Sequence, residues 1–167
     1  MTVVATDLIT LLRSVEDPEL PVSIVDLGMV KSAAAADSGI VVELVPTFLG
    51  CPAKMFIEAD VIACLAETGL PVTVRWTNDN WSVNDVTPLG REQLTEIGIA
   101  VPGPDGALVC PHCGSANFVI KSDWGSTLCR KLSYCPDCQT PSEILKGPAP
   151  TTIQLTSRGG DKPVSVD

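Results

Sequence analysis

Apolar positions recur at helical spacing near the start of the chain, where Leu8, Ile9, Leu11, Leu12 and Val15 share one face and Thr6 or Asp7 stands ready as N-cap. The spacing predicts an amphipathic helix ending near Asp17-Pro18. Past the turn DPELP, the run VSIVDLGMVKSAA is apolar and β-branched, Asp37-Ser38-Gly39 is a turn signal, and IVVELVPTF resumes the strand pattern. Together these predict a hairpin. A second helix is expected to start with Pro52 at its first position, to bury the stripe Met55, Phe56, Ala59, Ile62, Ala63 and Ala66, and to stop at Gly69. PVTVRWT reads as a third strand, and TPLGREQLTEIG as a third helix capped by Thr87, opened by Pro88 and closed by Gly98. Helix, hairpin, helix, strand and helix in that order give an α+β fold class, a small sheet with helices on one face.

VPGPDG, rich in Pro and Gly and without periodicity, breaks this pattern. The expected organisation is an α+β domain over 1–100, a linker over 101–107, a cysteine-rich module over 108–146, and a disordered tail over 147–167 with too few large apolar residues to pack. No apolar run approaches the ~20 residues of a spanning helix, and the first residues lack a basic n-region and a small-residue cleavage site. The expectation is a cytoplasmic protein.

Charge narrows the partners. Residues 1–100 carry 14 Asp and Glu against 5 Lys and Arg, while 101–167 carry 6 of each, so the net charge of -9 belongs to the first part. Such a surface repels phosphate backbones and anionic lipid, which argues against nucleic acid and membrane as partners. The chain also shows no Ser/His/Asp set, no phosphate-cradling glycine loop and a single histidine, so it is not expected to be an enzyme.

Four of the seven cysteines form two knuckles, Cys110-Pro-His-Cys113 and Cys135-Pro-Asp-Cys138. Two residues between ligands let one tight turn aim both sulfurs at one ion, and two such turns make a closed tetrahedral sulfur site of the kind zinc prefers. A module this small buries too little apolar surface to fold unaided, so a metal cross-link supplies what its core lacks. The result is a zinc-ribbon-like module. His112, inside the first knuckle, is expected to be exposed. Cys129, in the stretch GSTLCRKL, is left over as a spare ligand, a redox thiol or a small buried residue.

Two further features bear on chemistry. DPELPVSIVDLG gathers Asp17, Glu19 and Asp26 around two prolines, either as ordinary turn caps or as carboxylates able to hold a cation or orient a thiol. Cys51 stands where the second strand meets the second helix. At a helix cap, unpaired N–H groups and the dipole would lower its pKa and make it a nucleophile or ligand, whereas Cys64, well inside the helix, is expected in the core.

The combination of DPELPVSIVDLG, PTFLGCPA and GREQL resembles the small domain shared by SufT-type proteins and cytosolic iron-sulfur assembly factors. With CPHCGS, GSTLCRKL and YCPDC added, the match over residues 6 to 146 is closer still. The chain resembles the PaaD-type proteins of the phenylacetyl-CoA epoxidase, or phenylacetate-CoA oxygenase, system. It departs from relatives before the third helix, where Asn84 takes the place of an acid, and at the less aromatic end of its module. The resemblance implies an accessory protein of phenylacetate catabolism that is not itself the oxygenase. Its implied role is maturation, helping metal or iron-sulfur centres into the diiron oxygenase subunit or the iron-sulfur flavoprotein reductase. Cys51 then matches the family's T-x-x-x-C-P cysteine and would hold iron or an iron-sulfur cluster transiently, with Asp17, Glu19 and Asp26 as its acidic loop. The alternative is a structural adaptor of the oxygenase complex with no role in metal transfer.

Overall fold

The computed structural model describes residues 5–147, with side chains from Asp7 onward; the part of the expected disordered tail from 148 on lies outside the described residues. Helix α1 (Ala5–Leu12) is already running at Thr6 and Asp7, so the two expected caps sit in its first turn instead. It also stops five residues earlier than expected. The N–H groups of Ser14 and Val15 turn back to the carbonyls of Leu11 and Leu12, both at 3.1 Å, and tighten the last turn into a reversal.

The strand expected from Val22 does not begin there. Residues 16–29 form a coil of turns, held by Asp17 N–H to the Val22 carbonyl at 3.1 Å, Ile24 N–H to Val15 at 2.9 Å and Met29 N–H to Ile24 at 2.9 Å. Leu20, Val22, Ile24, Leu27 and Met29 are all buried by this coil. An apolar run signals burial, and here turns satisfy it without a ladder. Gly28, at φ +69°, makes the reversal possible where the backbone of Asp85 leaves no room for a side chain.

Strands β1 (Val30–Ala36) and β2 (Gly39–Leu44) form the expected antiparallel hairpin through Asp37-Ser38, and β3 (Val72–Trp76) joins β2 in parallel, giving the order β1-β2-β3. Ile40, Val42 and Leu44 alternate into the core along β2. Between β2 and β3 runs α2 (Lys54–Leu65), which ends through a short 3-10 turn at left-handed Gly69, φ 73°.

The phase of α2 differs from expectation. Its buried residues are Ile57, Val61 and Leu65, while Met55 is 69% exposed, Phe56 59% and Ile62 41%. Ala59, Ala63 and Ala66 are exposed as well. This helix is apolar on both faces, so its periodicity admits two registers, and its neighbours β3 and α1 select the one that buries Ile57, Val61 and Leu65. Cys64 is half-buried rather than in the core, its thiol directed at the Leu11 carbonyl of α1 at 3.3 Å.

Helix α3 (Pro88–Glu96) follows its sequence signals. Thr87 Oγ1 accepts the Gly90 N–H at 3.1 Å, Pro88 opens the helix, and Gly98 at φ +82° ends the turn that follows it. Gly90 lets the helix rest directly on the Asp26 carbonyl, where an added Cβ would stand 2.5 Å from that oxygen. The Arg91 guanidinium donates to the carbonyls of Val83 at 2.6 Å and Pro102 at 2.8 Å, pinning the segment after α3 to the turn before it.

That segment carries β4 (Ile99–Ala100), which pairs in parallel with β7 (Thr140–Leu145) of the cysteine module. The second sheet has the order β4-β7-β6-β5, with β5 (Val119–Ser122) and β6 (Arg130–Cys135) antiparallel. Leu145 and Cys129 belong to the same buried cluster as Leu44 and Leu94, so the module packs its inner end into the core of the α+β part. Among the described residues no helix is long and apolar enough to cross a membrane.

Candidate functional site

Two groups of sulfurs stand apart. In the first, Cys110, Cys113, Cys135 and Cys138 bring their Sγ atoms within 4.8 Å of one another, with 3.7 Å between Cys110 and Cys138 and 3.7 Å between Cys113 and Cys135. A tetrahedron with metal–sulfur bonds of ~2.3 Å has edges of about 3.8 Å, so the four sulfurs already hold the spacing that one metal ion requires. Both knuckles place the residue after their second cysteine in the left-handed region. Gly114 is at φ 73° and Gln139 at φ 58°. The two knuckles are laced together by Asp137, which accepts from the Ser115 hydroxyl and from Asn117 Nδ2 at 2.9 Å. The Thr140 hydroxyl and N–H, and after them the neighbouring Cys113 and Cys110 thiols, lower Cys138, while the other three thiols of the group raise Cys113. His112 is exposed and stands outside the four-sulfur group, as does Cys129.

The second group surrounds Cys51. The N-cap of α2 is Ala53, so Cys51 lies two residues before it and is not the cap. The residue is buried, 8% exposed, with its N–H on the Phe48 carbonyl at 2.9 Å. The expected lowering of its pKa is reversed. Burial pushes the Cys51 thiol up to about 11, and the Ala53 N–H directed at the sulfur opposes that only in part. The charges of Asp17, Glu19 and Cys129 then push it further the same way. The cap argument named a real donor, but one N–H does not offset the loss of water around a thiolate.

The acidic loop divides. Asp17, 2% exposed, accepts the N–H groups of Glu19 at 2.8 Å and Leu20 at 3.0 Å, an Asx-type turn that also sets it within electrostatic reach of Cys51. Burial raises its pKa against those two N–H bonds and the nearby Arg130. Asp26 is engaged elsewhere. Its carboxylate takes Arg13 Nη1 on both oxygens, at 2.6 and 2.7 Å, and the Thr87 hydroxyl at 2.8 Å, so it braces α1 against the cap of α3. The structure thus keeps Asp17 and Glu19 within electrostatic reach of Cys51 and makes Asp26 a strut.

Cys129 is the residue whose setting the sequence left open. It is 3% exposed, its Sγ is 3.1 Å from the Thr127 hydroxyl, and its charge acts on Cys51. Arg130, next in the chain, holds the loop in place by pairing with Glu143 at 2.7 Å and donating to the Glu19 carbonyl at 2.9 Å. The stretch GSTLCR was visible as a motif. Nothing in its spacing said that it would meet a loop 110 residues earlier.

A sheet-and-helix unit carrying a buried cysteine near an acidic loop, joined to a ribbon whose four cysteines are spaced to bind one metal ion, defines a two-part, metal-binding protein. Residues 5–75 match the iron-sulfur cluster assembly protein family, and residues 98–146 match the PaaD zinc beta ribbon domain. The chain is 34% identical over 146 residues, covering 81% of its own length and 88% of the relative's, to the Escherichia coli (strain K12) protein assigned as the D component of 1,2-phenylacetyl-CoA epoxidase. It therefore belongs to the PaaD-type family of the phenylacetyl-CoA epoxidase system. An Fe-S protein maturation auxiliary factor of Porphyromonas gingivalis (strain ATCC BAA-308 / W83) is 41% identical over 56 residues, which is 33% of this chain and 53% of that protein. A solved domain of unknown function, DUF59, from Bacillus anthracis superposes with a TM-score of 0.51 at 29% identity, covering 54% of this chain and 90% of that one.

Proposed function

We propose that the protein is a non-catalytic, cytoplasmic maturation factor that helps assemble a metal or iron-sulfur centre in a multicomponent phenylacetyl-CoA-type oxygenase. The observation that carries this reading is Cys51, a thiol kept dry beside Asp17 and Glu19 and separate from the four-sulfur group. A thiol with a raised pKa is neutral at rest and ionises when a cation arrives to take the place of its proton. That behaviour suits cargo held briefly. The E. coli relative's assignment to the epoxidase and the P. gingivalis relative's to Fe-S maturation support the direction of the proposal.

In this reading zinc occupies the ribbon, bound by Cys110, Cys113, Cys135 and Cys138, and is structural. When bound, it supplies a closed tetrahedral cross-link and no reactive position. The handling unit is the 1–98 part of the expected 1–100 domain, because Ile99–Ala100 (β4) pairs with β7 and so belongs to the ribbon unit, with 101–107 leading from β4 to the cysteine module over 108–146. The partners are the diiron subunit or the iron-sulfur flavoprotein reductase.

Reconstitution tests the proposal. Oxygenase components produced with the wild-type chain should carry full metal or cluster content, and those produced with Cys51→Ala should lose most of it while the variant keeps its fold and its ribbon metal. Full maturation by Cys51→Ala would leave the adaptor role in possession.

A further inference from the structure

Helix α2 buries Ile57, Val61 and Leu65 and turns a second apolar stripe to water. Met55 is 69% exposed, Phe56 59% and Ile62 41%, with exposed Ala59, Ala63 and Ala66 among them. At ~3.6 residues per turn these six fall on one side of the helix, opposite the buried three. The alanines leave the middle of the stripe low, and Met55, Phe56 and Ile62 stand above it. Such exposure means that no other described element covers the stripe, and large apolar side chains gathered in water mark a surface made to meet a partner. The charge along its edges has one sign. Every charged residue from Met55 to Thr68 is acidic, namely Glu58, Asp60 and Glu67. Glu58 borders the β3 side, where it accepts Trp76 Nε1 at 3.3 Å, and Asp60 and Glu67 lie toward the α1 side by helical phase. Lys54, the one cation of α2, is drawn over the Trp76 ring, 5.0 Å from its centroid.

We propose that the outer stripe of α2 is the docking surface for an oxygenase component whose own contact face is apolar at its centre and rimmed by Lys and Arg. The proposal rests on the reading of the chain as a maturation factor and names the surface by which it holds its client. Charge selects the occupant. A pair of α2 helices from two copies of the chain would set Glu58, Asp60 and Glu67 against the same acids, and residues 1–100 carry 14 acidic against 5 basic side chains. Like charges brought together at a rim reject a partner, while a basic rim around an apolar centre satisfies both features of the stripe. The position of the stripe also serves the proposed chemistry. It begins at Met55, shortly after Cys51, and Leu49 on the other side of that cysteine is 61% exposed. A partner seated on α2 therefore approaches the junction that holds the thiol.

The test uses the full chain with its ribbon loaded with zinc and, as separate probes, the purified diiron subunit and the purified iron-sulfur flavoprotein reductase of the oxygenase. One of the two should bind the wild-type chain, and more weakly as salt rises, because the rim charges are screened. Met55→Glu and Ile62→Glu, both at exposed positions, should keep the fold and the ribbon metal yet each weaken that binding at least about tenfold. Leu89→Glu, at an exposed apolar residue of α3, should leave it unchanged. No binding of either component by wild type, or wild-type binding in both α2 variants, would overturn the proposal. Hydroxyl-radical footprinting of the unmutated chain gives a second readout that needs no variant to fold. Met55 and Phe56 should oxidise readily in the free chain and be protected in the complex, and protection that spares both would place the interface elsewhere. Sedimentation of the free chain should show a monomer. A dimer that Ile62→Glu dissolves would assign the stripe to self-association and overturn the proposal. Reconstitution separates this surface from the function it serves. Normal maturation by both α2 variants would remove the docking surface and leave the maturation role, whereas full maturation by Cys51→Ala with loss in the α2 variants would remove the handling thiol and leave the docking surface.

Discussion

Arg130 and Glu19 lie 111 residues apart, yet the guanidinium of the first donates Nη2 to the carbonyl of the second at 2.9 Å. The same side chain, 12% exposed, pairs through Nη1 with Glu143 at 2.7 Å. Arg130→Ala leaves Glu143 and the Glu19 carbonyl without this donor in a region largely shielded from water. Removing one partner of a charge-assisted bond costs about 1–3 kcal/mol. Chemical denaturation should show that loss, and alkylation of native protein should label Cys129 faster in the variant.

The ribbon should depend on its metal. Protein purified without added metal is expected to hold about one zinc, bound through four thiolates. Because each ligand must give up its proton, acid and chelators should release the ion together with the fold of residues 108–146. Cys110→Ser or Cys138→Ser variants that kept both the metal and the ribbon's hydrogen-exchange protection would refute the assignment.

Gln139 pays for its place in the second knuckle. At φ 58° it occupies the conformation that Gly114 occupies in the first. A non-glycine residue there costs roughly 1–2 kcal/mol, of which glycine's greater freedom in the unfolded chain returns about 0.5–1. Gln139→Gly should therefore stabilise the ribbon by about 0.5–1 kcal/mol, visible as slower metal loss to a chelator.

Cys51 should titrate late. Its folded pKa of about 11 lies above the ~8.5 of a free thiol, so the native chain retains a proton that the unfolded chain has lost. Its contribution to stability is intact below ~8.5 and is lost as pH rises toward 11. The rate of Cys51 alkylation should still be climbing at pH 10, past the range where an exposed thiol levels off. A plateau at pH 9 would show that the sulfur is wetter than its burial implies.

The register of α2 is open to a direct comparison. Ile57 is fully buried and Met55 is 69% exposed. Ile57→Ala should cost about 2–5 kcal/mol in denaturant unfolding, as buried large-to-small changes do. Met55→Ala should stay within about 0.5 kcal/mol.

What the sequence determined by itself is what local chemistry enforces. The Thr87-Pro88 start and Gly98 end of α3, the Asp37-Ser38-Gly39 hairpin and the two cysteine knuckles each depend on a few neighbouring residues, and each is found where the pattern places it. Tertiary structure decided everything that one segment could satisfy in two ways. The apolar run after DPELP needed burial and received it from turns, and α2, apolar on both faces, took its phase from β3 and α1. Asp17 and Asp26, nine residues apart in one motif, were separated because Arg13 and Thr87 claim the second. The sign of the Cys51 shift followed from burial, which depends on what covers the junction and not on the junction itself. Cys129 reached the acidic loop through contacts more than 100 residues apart in sequence, and pairings of that range carry no local signature.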